Sequence, residues 1–257
     1  MRRFDANLSQ LYTEHGFLDR FGAAAADGFT GVEYRGPYGE PARVIADVLR
    51  AHGLTQVLFN LPAGDWEAGE RGIGCLPGRE AEFREGLEIA IDYARTLGCE
   101  RLNCLAGLMP EGVPYGTLED TFVANLRHAA ERLEREGIRL LIEPLNRIDL
   151  PRCMLAGTDQ FDRIHARVGS ANLFLQYDFY HMQVMQGDLM RGFARLRDRI
   201  AHVQIADNPG RHEPGTGEIH YGFILAELER LGYDGWIGCE YFPRGDTSAG
   251  LGWMRSL

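Results

Sequence analysis

Four side chains invite a chemical reading. Glu143, Asp178, Gln204 and Glu240 stand 35, 26 and 36 residues apart, each at or near the end of a short apolar run: "RLLIEP", "NLFLQYDFYHM", "AHVQIADN" and "GWIGCEYFP". A carboxylate at the edge of a buried run is costly unless something pairs with it or binds it. Each spacing is close to one strand–helix unit, which would bring all four to the same height at the carboxyl ends of adjacent strands. Three carboxylates in one mouth repel, and a divalent cation resolves the conflict. The donor set is all oxygen, which suits a hard ion, Mg²⁺ or Mn²⁺, rather than structural zinc or copper. Any one of these residues alone would read as a helix N-cap or a surface charge. Four in register on consecutive strands favour a metal or acid–base site.

Other polar residues fall where they could touch a substrate. His181 follows Asp178 by three positions, where the chain leaves its strand. The segment "AGDWEAGERGIGCLPG" (63–78) mixes glycines with Trp66 and Arg71, as a lid with an anchoring aromatic would. The segment "NPGRHEPGTGEIHYG" (208–222) presents Arg211 and His212 beside Gln204. An arginine there could hold a substrate carboxylate in a two-point fork. The plain alternative for both segments is a capped, solvated turn. His202 shares the parity of Gln204 one layer deeper and reads as a core histidine.

The elements that must position these groups alternate along the chain. Eight β-rich runs are expected: 3–8, 31–34, 56–61, 101–105, 139–145, 173–178, 202–206 and 236–240. Most are continuously apolar, as parallel strands covered by helices should be. Between them lie helical stripes, such as Phe83, Leu87, Ala90, Ala94 and Leu97, or Leu118, Phe122, Leu126, Ala129 and Leu133. Several helical runs stop at a glycine (Gly28, Gly53, Gly98, Gly137, Gly169, Gly232), the residue that takes a left-handed C′ position at least cost. Eight such units with no linker-like break predict one α/β domain over residues 1–257, a single (β/α)₈ barrel. A doubly wound sheet is the runner-up. It would normally carry a glycine-rich phosphate loop after its first strand, where "ANLSQLY" stands instead, so no nucleotide cofactor is expected.

Composition narrows the function further. The 257 residues carry a formal net charge of −10, with no long basic run, which argues against nucleic-acid binding. There is no lysine, since all 27 basic residues are arginine, so Schiff-base chemistry and the usual attachment of pyridoxal phosphate (PLP) are excluded. No apolar stretch approaches the roughly 18 residues of a membrane span. "MRRFDANLSQ" has charge but no following apolar run, so a secretory leader is not expected. Five scattered cysteines without CxxC spacing read as reduced, buried thiols. A cytoplasmic protein is expected, with homo-oligomerisation left open.

The longer motifs carry a resemblance. "FNLPAGDWEAGERGI", "LLIEPLN", "QYDFYHMQ", "HVQIADNPGRHEPGTGEI" and "GWIGCEY" resemble the hydroxypyruvate isomerase family of the xylose-isomerase-like barrel group. The match runs from "RFDANLS" to "AGLGWM", almost the whole chain. It implies a metal-dependent isomerase of glyoxylate metabolism, acting on a small 2-oxo acid and interconverting hydroxypyruvate and tartronate semialdehyde. It further implies Glu143 and Glu240 as the acid–base pair, with Asp178 and Gln204 completing the Mg²⁺ site. Related ketose epimerases usually place histidine where Gln204 stands, which counts against an epimerase. A sister group isomerises 2-oxo-tetronate, and "NLPAGDWEAGERG" sides with hydroxypyruvate isomerase.

The chemistry is consistent with the residues. Moving a carbonyl by one carbon takes a proton off C3 and puts one on C2, through an enediolate whose charge needs stabilising. Strands five and eight are not adjacent, so their two glutamates could approach the substrate plane from different sides. A metal-assisted hydride shift is the competing route. Competing functions are another small-sugar isomerase or epimerase, a phosphodiester-cleaving repair endonuclease, and a catalytically dead binding protein. The endonuclease would call for a histidine-rich multi-zinc site and a basic face.

Overall fold

The computed structural model describes residues 2–256. Eight parallel strands close into a barrel in sequence order: β1 (Arg3–Asn7), β2 (Gly31–Tyr34), β3 (Thr55–Asn60), β4 (Arg101–Asn103), β5 (Arg139–Ile142), β6 (Leu173–Asp178), β7 (Ile200–Ile205) and β8 (Trp236–Cys239). β8 returns to pair with β1, Cys239 opposite Ala6. The helices that return the chain on the outside are α1 (Phe17–Ala26), α2 (Ala42–His52), α3 (Glu80–Leu97), α4 (Tyr115–Glu134), α5 (Thr158–Val168), α6 (Phe179–Met185), α7 (Leu189–Leu196) and α8 (Tyr221–Arg230). No described helix is long and apolar enough to cross a membrane.

The periodicity in the sequence becomes the packing. The expected stripes of α3 and α4 are buried, including Phe83, Leu87, Phe122 and Leu126. Each large apolar side chain so buried contributes about 1.5–3 kcal/mol. α2 and α3 stop at Gly53 (φ 65°) and Gly98 (φ 65°) in the left-handed region, as their sequences suggest. All five cysteines are free and buried.

All eight expected strands are present, with shifted ends. β4 and β5 stop at Asn103 and Ile142, two and three residues short of the expected runs. β7 begins two residues earlier, at Ile200. Apolarity overstates strand length here, because residues beyond the rim are still buried but lack a neighbour to continue the ladder. Glu143 and Glu240 therefore sit one residue past β5 and β8, on the first turn of the loops above the barrel.

The inside of the barrel is unusually polar. Glu33 of β2 accepts from Asn7 Nδ2 (2.9 Å) and Gln204 Nε2 (2.7 Å) and lies 2.6 Å from His202 Nε2. β2 and β7 are not neighbours, so these contacts cross the barrel interior. Burial opposes the Glu33 charge, but His202, Gln204 and Asn7 outweigh it and lower its pKa. Asp5, next to it, goes the other way: burial and the Glu33 charge raise its pKa well above the carboxylate range. His202 is a core histidine, fully buried.

Candidate active site

The site is a cavity of about 260 Å³ at the carboxyl ends of the strands, lined among others by Glu143, Glu240, His181, Arg211, Trp66 and Arg71. That is the end of a (β/α)₈ barrel where loops gather chemistry. Proline at 144 follows Glu143 directly and biases it toward extended backbone, which helps the chain leave the strand. Glu143 is 6% exposed. Its Oε2 takes a long hydrogen bond from Asn103 Nδ2 (3.4 Å), and its Oε1 is buried with no partner.

Asp178 closes β6 and caps α6, its Oδ1 accepting the Tyr180 backbone N–H at 2.8 Å. The capping role thus occupies Oδ1, with Oδ2 left to Arg211 and His181. Arg211 Nη2 reaches both Asp178 Oδ2 (3.4 Å) and Glu240 Oε2 (2.8 Å), and Gln10 Nε2 donates to Glu240 Oε1 (3.2 Å). Arg211 takes φ 56°, a left-handed conformation that costs a non-glycine residue energy and is often found at functional sites. The loop that presents it hangs on buried Asp207, whose carboxylate accepts the backbone N–H groups of Asn208, Gly215, Gly217 and Ile219.

The electrostatics follow from crowding. Burial first, then the charges of Glu240 and Asp178, raise the Glu143 pKa well above its ordinary value. Burial also raises Asp178, and it lifts Glu240 to about 7 despite Arg211. Burial opposes the Arg211 charge too, but the surrounding carboxylates outweigh it and raise its pKa.

His181 is fixed as a donor. Its Nδ1 accepts the backbone N–H of Asn146 at 3.1 Å, and burial with the nearby Arg211 charge drives its pKa well below the usual value. A neutral imidazole whose Nδ1 accepts carries its proton on Nε2. That nitrogen lies 3.5 Å from Asp178 Oδ2 and 4.0 Å from Glu143 Oε1. Glu143, Asp178 and His181 place one donor atom each within 4.8 Å of one another. With Nε2 protonated, His181 offers this cluster an N–H donor rather than a lone pair for a metal.

The carboxylates fit a hard divalent cation. The orphaned Oε1 of Glu143 and the raised pKa values are the marks of a cluster short of positive charge. Gln204 is turned into the barrel interior, between Glu33 and Gln176. Its Oε1 accepts from Gln176 Nε2 at 2.6 Å, leaving one lone pair of the amide oxygen for a ligand.

The two loops differ in how they meet the cavity. Trp66 and Arg71 line it. The guanidinium carbons of Arg71 and Arg35 lie 4.0 and 4.5 Å from the Trp66 ring centroid. Glycines in this loop serve close approach: at Gly72 (φ 113°) a Cβ would lie 2.5 Å from the Leu105 carbonyl oxygen. His212 is not among the lining residues, and its Nδ1 is 2.7 Å from the Phe242 carbonyl oxygen. Gln10, Arg35, Asn60, Asn103 and Asp149 enter the site without having been singled out in the sequence. The signal for two of them is the rule applied above to the last four strands: β3 and β4 also end on polar residues, Asn60 and Asn103.

Residues 21–257 match the xylose isomerase-like TIM barrel family. The chain belongs to this family. It is 51% identical to hydroxypyruvate isomerase of Escherichia coli (strain K12), covering 99% of this chain and 98% of that one. It is 48% identical to 2-oxo-tetronate isomerase of Cupriavidus necator, over 99% and 98%. Among solved structures, an AP endonuclease, family 2, from Brucella melitensis superposes with a TM-score of 0.97 at 46% identity, over 100% of this chain and 99% of that one. An L-ribulose 3-epimerase shares the fold, with a TM-score of 0.77 at 21% identity.

Proposed function

We propose that this family member is a hydroxypyruvate isomerase, interconverting hydroxypyruvate and 2-hydroxy-3-oxopropanoate by proton transfer. The observation that carries the reading is the pair Glu143 and Glu240: two carboxylates, one buried and one 13% exposed, above strands that are not adjacent, facing one cavity with raised proton affinity. A group whose pKa is lifted to about 7 can both take and return a proton near neutral pH, which a carboxylate of ordinary pKa does poorly. One glutamate removes the C3 proton and the other delivers a proton to C2, while the C3 hydroxyl proton passes to the C2 oxygen, with roles exchanged in reverse. His181, donating from Nε2, holds a substrate oxygen. Arg211 keeps Glu240 and Asp178 in place and turns its remaining N–H groups to the substrate. Trp66 and Arg71 cover the cavity from the loop, and His212 acts through the backbone of Phe242.

Glu143, Asp178, Glu240 and the free lone pair of Gln204 would hold Mg²⁺ or Mn²⁺. Bound there, the ion supplies positive charge where negative charge develops on the two reacting oxygens. The reading places residues 1–257 in one working domain, active in glyoxylate metabolism in the cytoplasm, with neither nucleotide nor PLP and with no nucleic-acid or membrane partner. Isomerisation of 2-oxo-tetronate is the second reading, supported by the 48% identity to an enzyme of that name.

A coupled assay on both acids, with and without chelator, tests this. Turnover of hydroxypyruvate with the higher kcat/KM, lost on chelation and restored by Mg²⁺ or Mn²⁺, is expected. Turnover of 2-oxo-tetronate alone moves the assignment to the second reading, and chelator-resistant activity removes the metal.

A further inference from the structure

The cavity has two electrical poles. Glu143, Asp178 and Glu240 gather on the side of β5, β6 and β8. Arg35 follows β2, and Arg71 comes from the loop after β3, both against the Trp66 ring; of the three carboxylates, Glu240 is the one that acts most on Arg35. The cationic pole is short of anions. Among the described residues the Arg35 guanidinium makes no hydrogen bond and no close ion pair, with Glu240 and Glu67 acting on it only at longer range, and Arg71 donates through Nη1 only to the carbonyl oxygens of Trp66 (2.9 Å) and Glu70 (2.6 Å). Arg211, the third cation at the cavity, is already held by Glu240 and Asp178. The sequence makes Arg211 the fork for a substrate carboxylate. The geometry gives that role to a different pair.

We infer that Arg35 and Arg71, stacked on Trp66, form the subsite for the carboxylate of a 2-oxo acid, and that Arg35 determines the preference for acids over neutral ketoses. The inference rests on the isomerase reading above and deepens it. A three-carbon 2-oxo acid is itself bipolar, with a carboxylate at one end and a hydroxyketone at the other. Laid along the cavity, its carboxylate meets the two guanidinium groups and its reacting carbons lie toward Glu143 and Glu240. A neutral ketose would leave both cations unpaired. Arg35 has a further geometric role. With Asn60 and Trp66 it lines both this cavity and an adjoining one of about 370 Å³, so it forms part of the wall between them. Truncating it to alanine would join the two spaces, which makes methionine, similar in length and uncharged, the better substitution.

The test uses the Mn²⁺-loaded enzyme and two unreactive or poorly reactive probes of similar size, glycerate and dihydroxyacetone, titrated calorimetrically. In Arg35→Met, glycerate should bind roughly 10–100-fold more weakly, the worth of one charge-assisted hydrogen-bonded pair. Dihydroxyacetone and Mn²⁺ should bind as in wild type. For hydroxypyruvate the loss should fall mainly on KM, and Arg35→Lys should recover part of it. Wild-type glycerate affinity in Arg35→Met, with hydroxypyruvate still turned over, overturns the subsite and leaves the isomerase reading standing. Equal weakening of both probes overturns it as well, since that marks Arg35 as structural. A wild-type enzyme that ignores hydroxypyruvate and binds both probes alike removes the reading and the subsite together.

Discussion

Two glutamates paired with arginine in this barrel have opposite fates. Glu119, on the outer face of α4, is 5% exposed and held by Arg163 (2.7 Å) and Arg167 (2.7 Å), which bring its pKa down to about 2. Glu240, above β8, also has an arginine at 2.8 Å, yet its pKa rises to about 7. The difference lies in the ratio of charges. Around Glu119 two guanidinium groups serve two carboxylates, since Arg167 also pairs with Asp120, and both arginines open to water on their far sides. In the mouth, one guanidinium lies among three carboxylates: Glu143 and Asp178 are buried, and the Glu240 and Arg211 side chains are 13% and 15% exposed. The first cluster satisfies itself. The second is left short of positive charge, with its carboxylates biased toward the protonated form, the condition on which the proposed function rests.

The sharpest way to break this contrast is to remove a proton carrier. Glu143→Gln and Glu240→Gln should each lower kcat by roughly 10²–10⁴, the usual worth of general acid–base catalysis. The double variant should lose little more, since either loss already interrupts the transfer. Deuterium from solvent should enter the product. Wild-type rates in Glu143→Gln, with the substrate hydrogen carried fully across, would instead establish a hydride shift.

Stability should depend on pH with opposite signs in the two regions. In chelated protein, Glu143, Asp178 and Glu240 have folded pKa values above their unfolded ones. Their protonated forms favour the fold, so stability is fully present at low pH and falls as pH rises through the folded value, about 7 for Glu240. Relative to wild type, chelated Glu240→Gln should lose less between pH 5 and 8, by about 2–3 kcal/mol, or several degrees in Tm. Metal affinity should rise over the same interval, because binding expels those protons. Parallel melting curves for the two chelated proteins would show that the crowding is not felt.

How much of this was legible beforehand divides along the same line. The barrel was readable because its signals are local: apolar runs of strand length, stripes at helical period, glycines at helix ends. The convergence of Glu143, Asp178 and Glu240 at one end of the barrel was readable because they interrupt apolar runs at one repeat spacing. Arg35 was not, since its position depends on where a distant tryptophan on another loop comes to rest. Glu33, buried within "GVEY", carried no signal of its own in the sequence. Its partners His202 and Gln204 are about 170 positions away, across the barrel. The equal height expected for all four ligand candidates ignored strand tilt and the hydrogen bonds that hold Gln204 toward the interior. Register shows the stagger: Asp178 lies opposite Gln204, and Gln204 opposite Gly238, two residues below Glu240.

The smallest effect belongs to the satisfied cluster. Glu119→Gln keeps shape and removes the charge that Arg163 and Arg167 share. Those arginines are 46% and 38% exposed, so water takes over much of their solvation, and the loss should be modest, about 1–2 kcal/mol. That corresponds to roughly 2–8 °C in Tm for a chain of this size. The sign with pH is the reverse of the mouth. A lowered folded pKa gives stability that is present above the unfolded value and lost as pH falls through about 2, so the gap between variant and wild type should close in acid and persist at neutrality. Since α4 packs on the outside, kcat/KM and Mn²⁺ affinity should be unchanged. Melting the two proteins side by side at neutral and acid pH, with a kinetic assay at neutrality, checks all three statements. A drop in kcat/KM with intact folding would show that the outer cluster and the mouth are coupled, and that the contrast between them is one of degree.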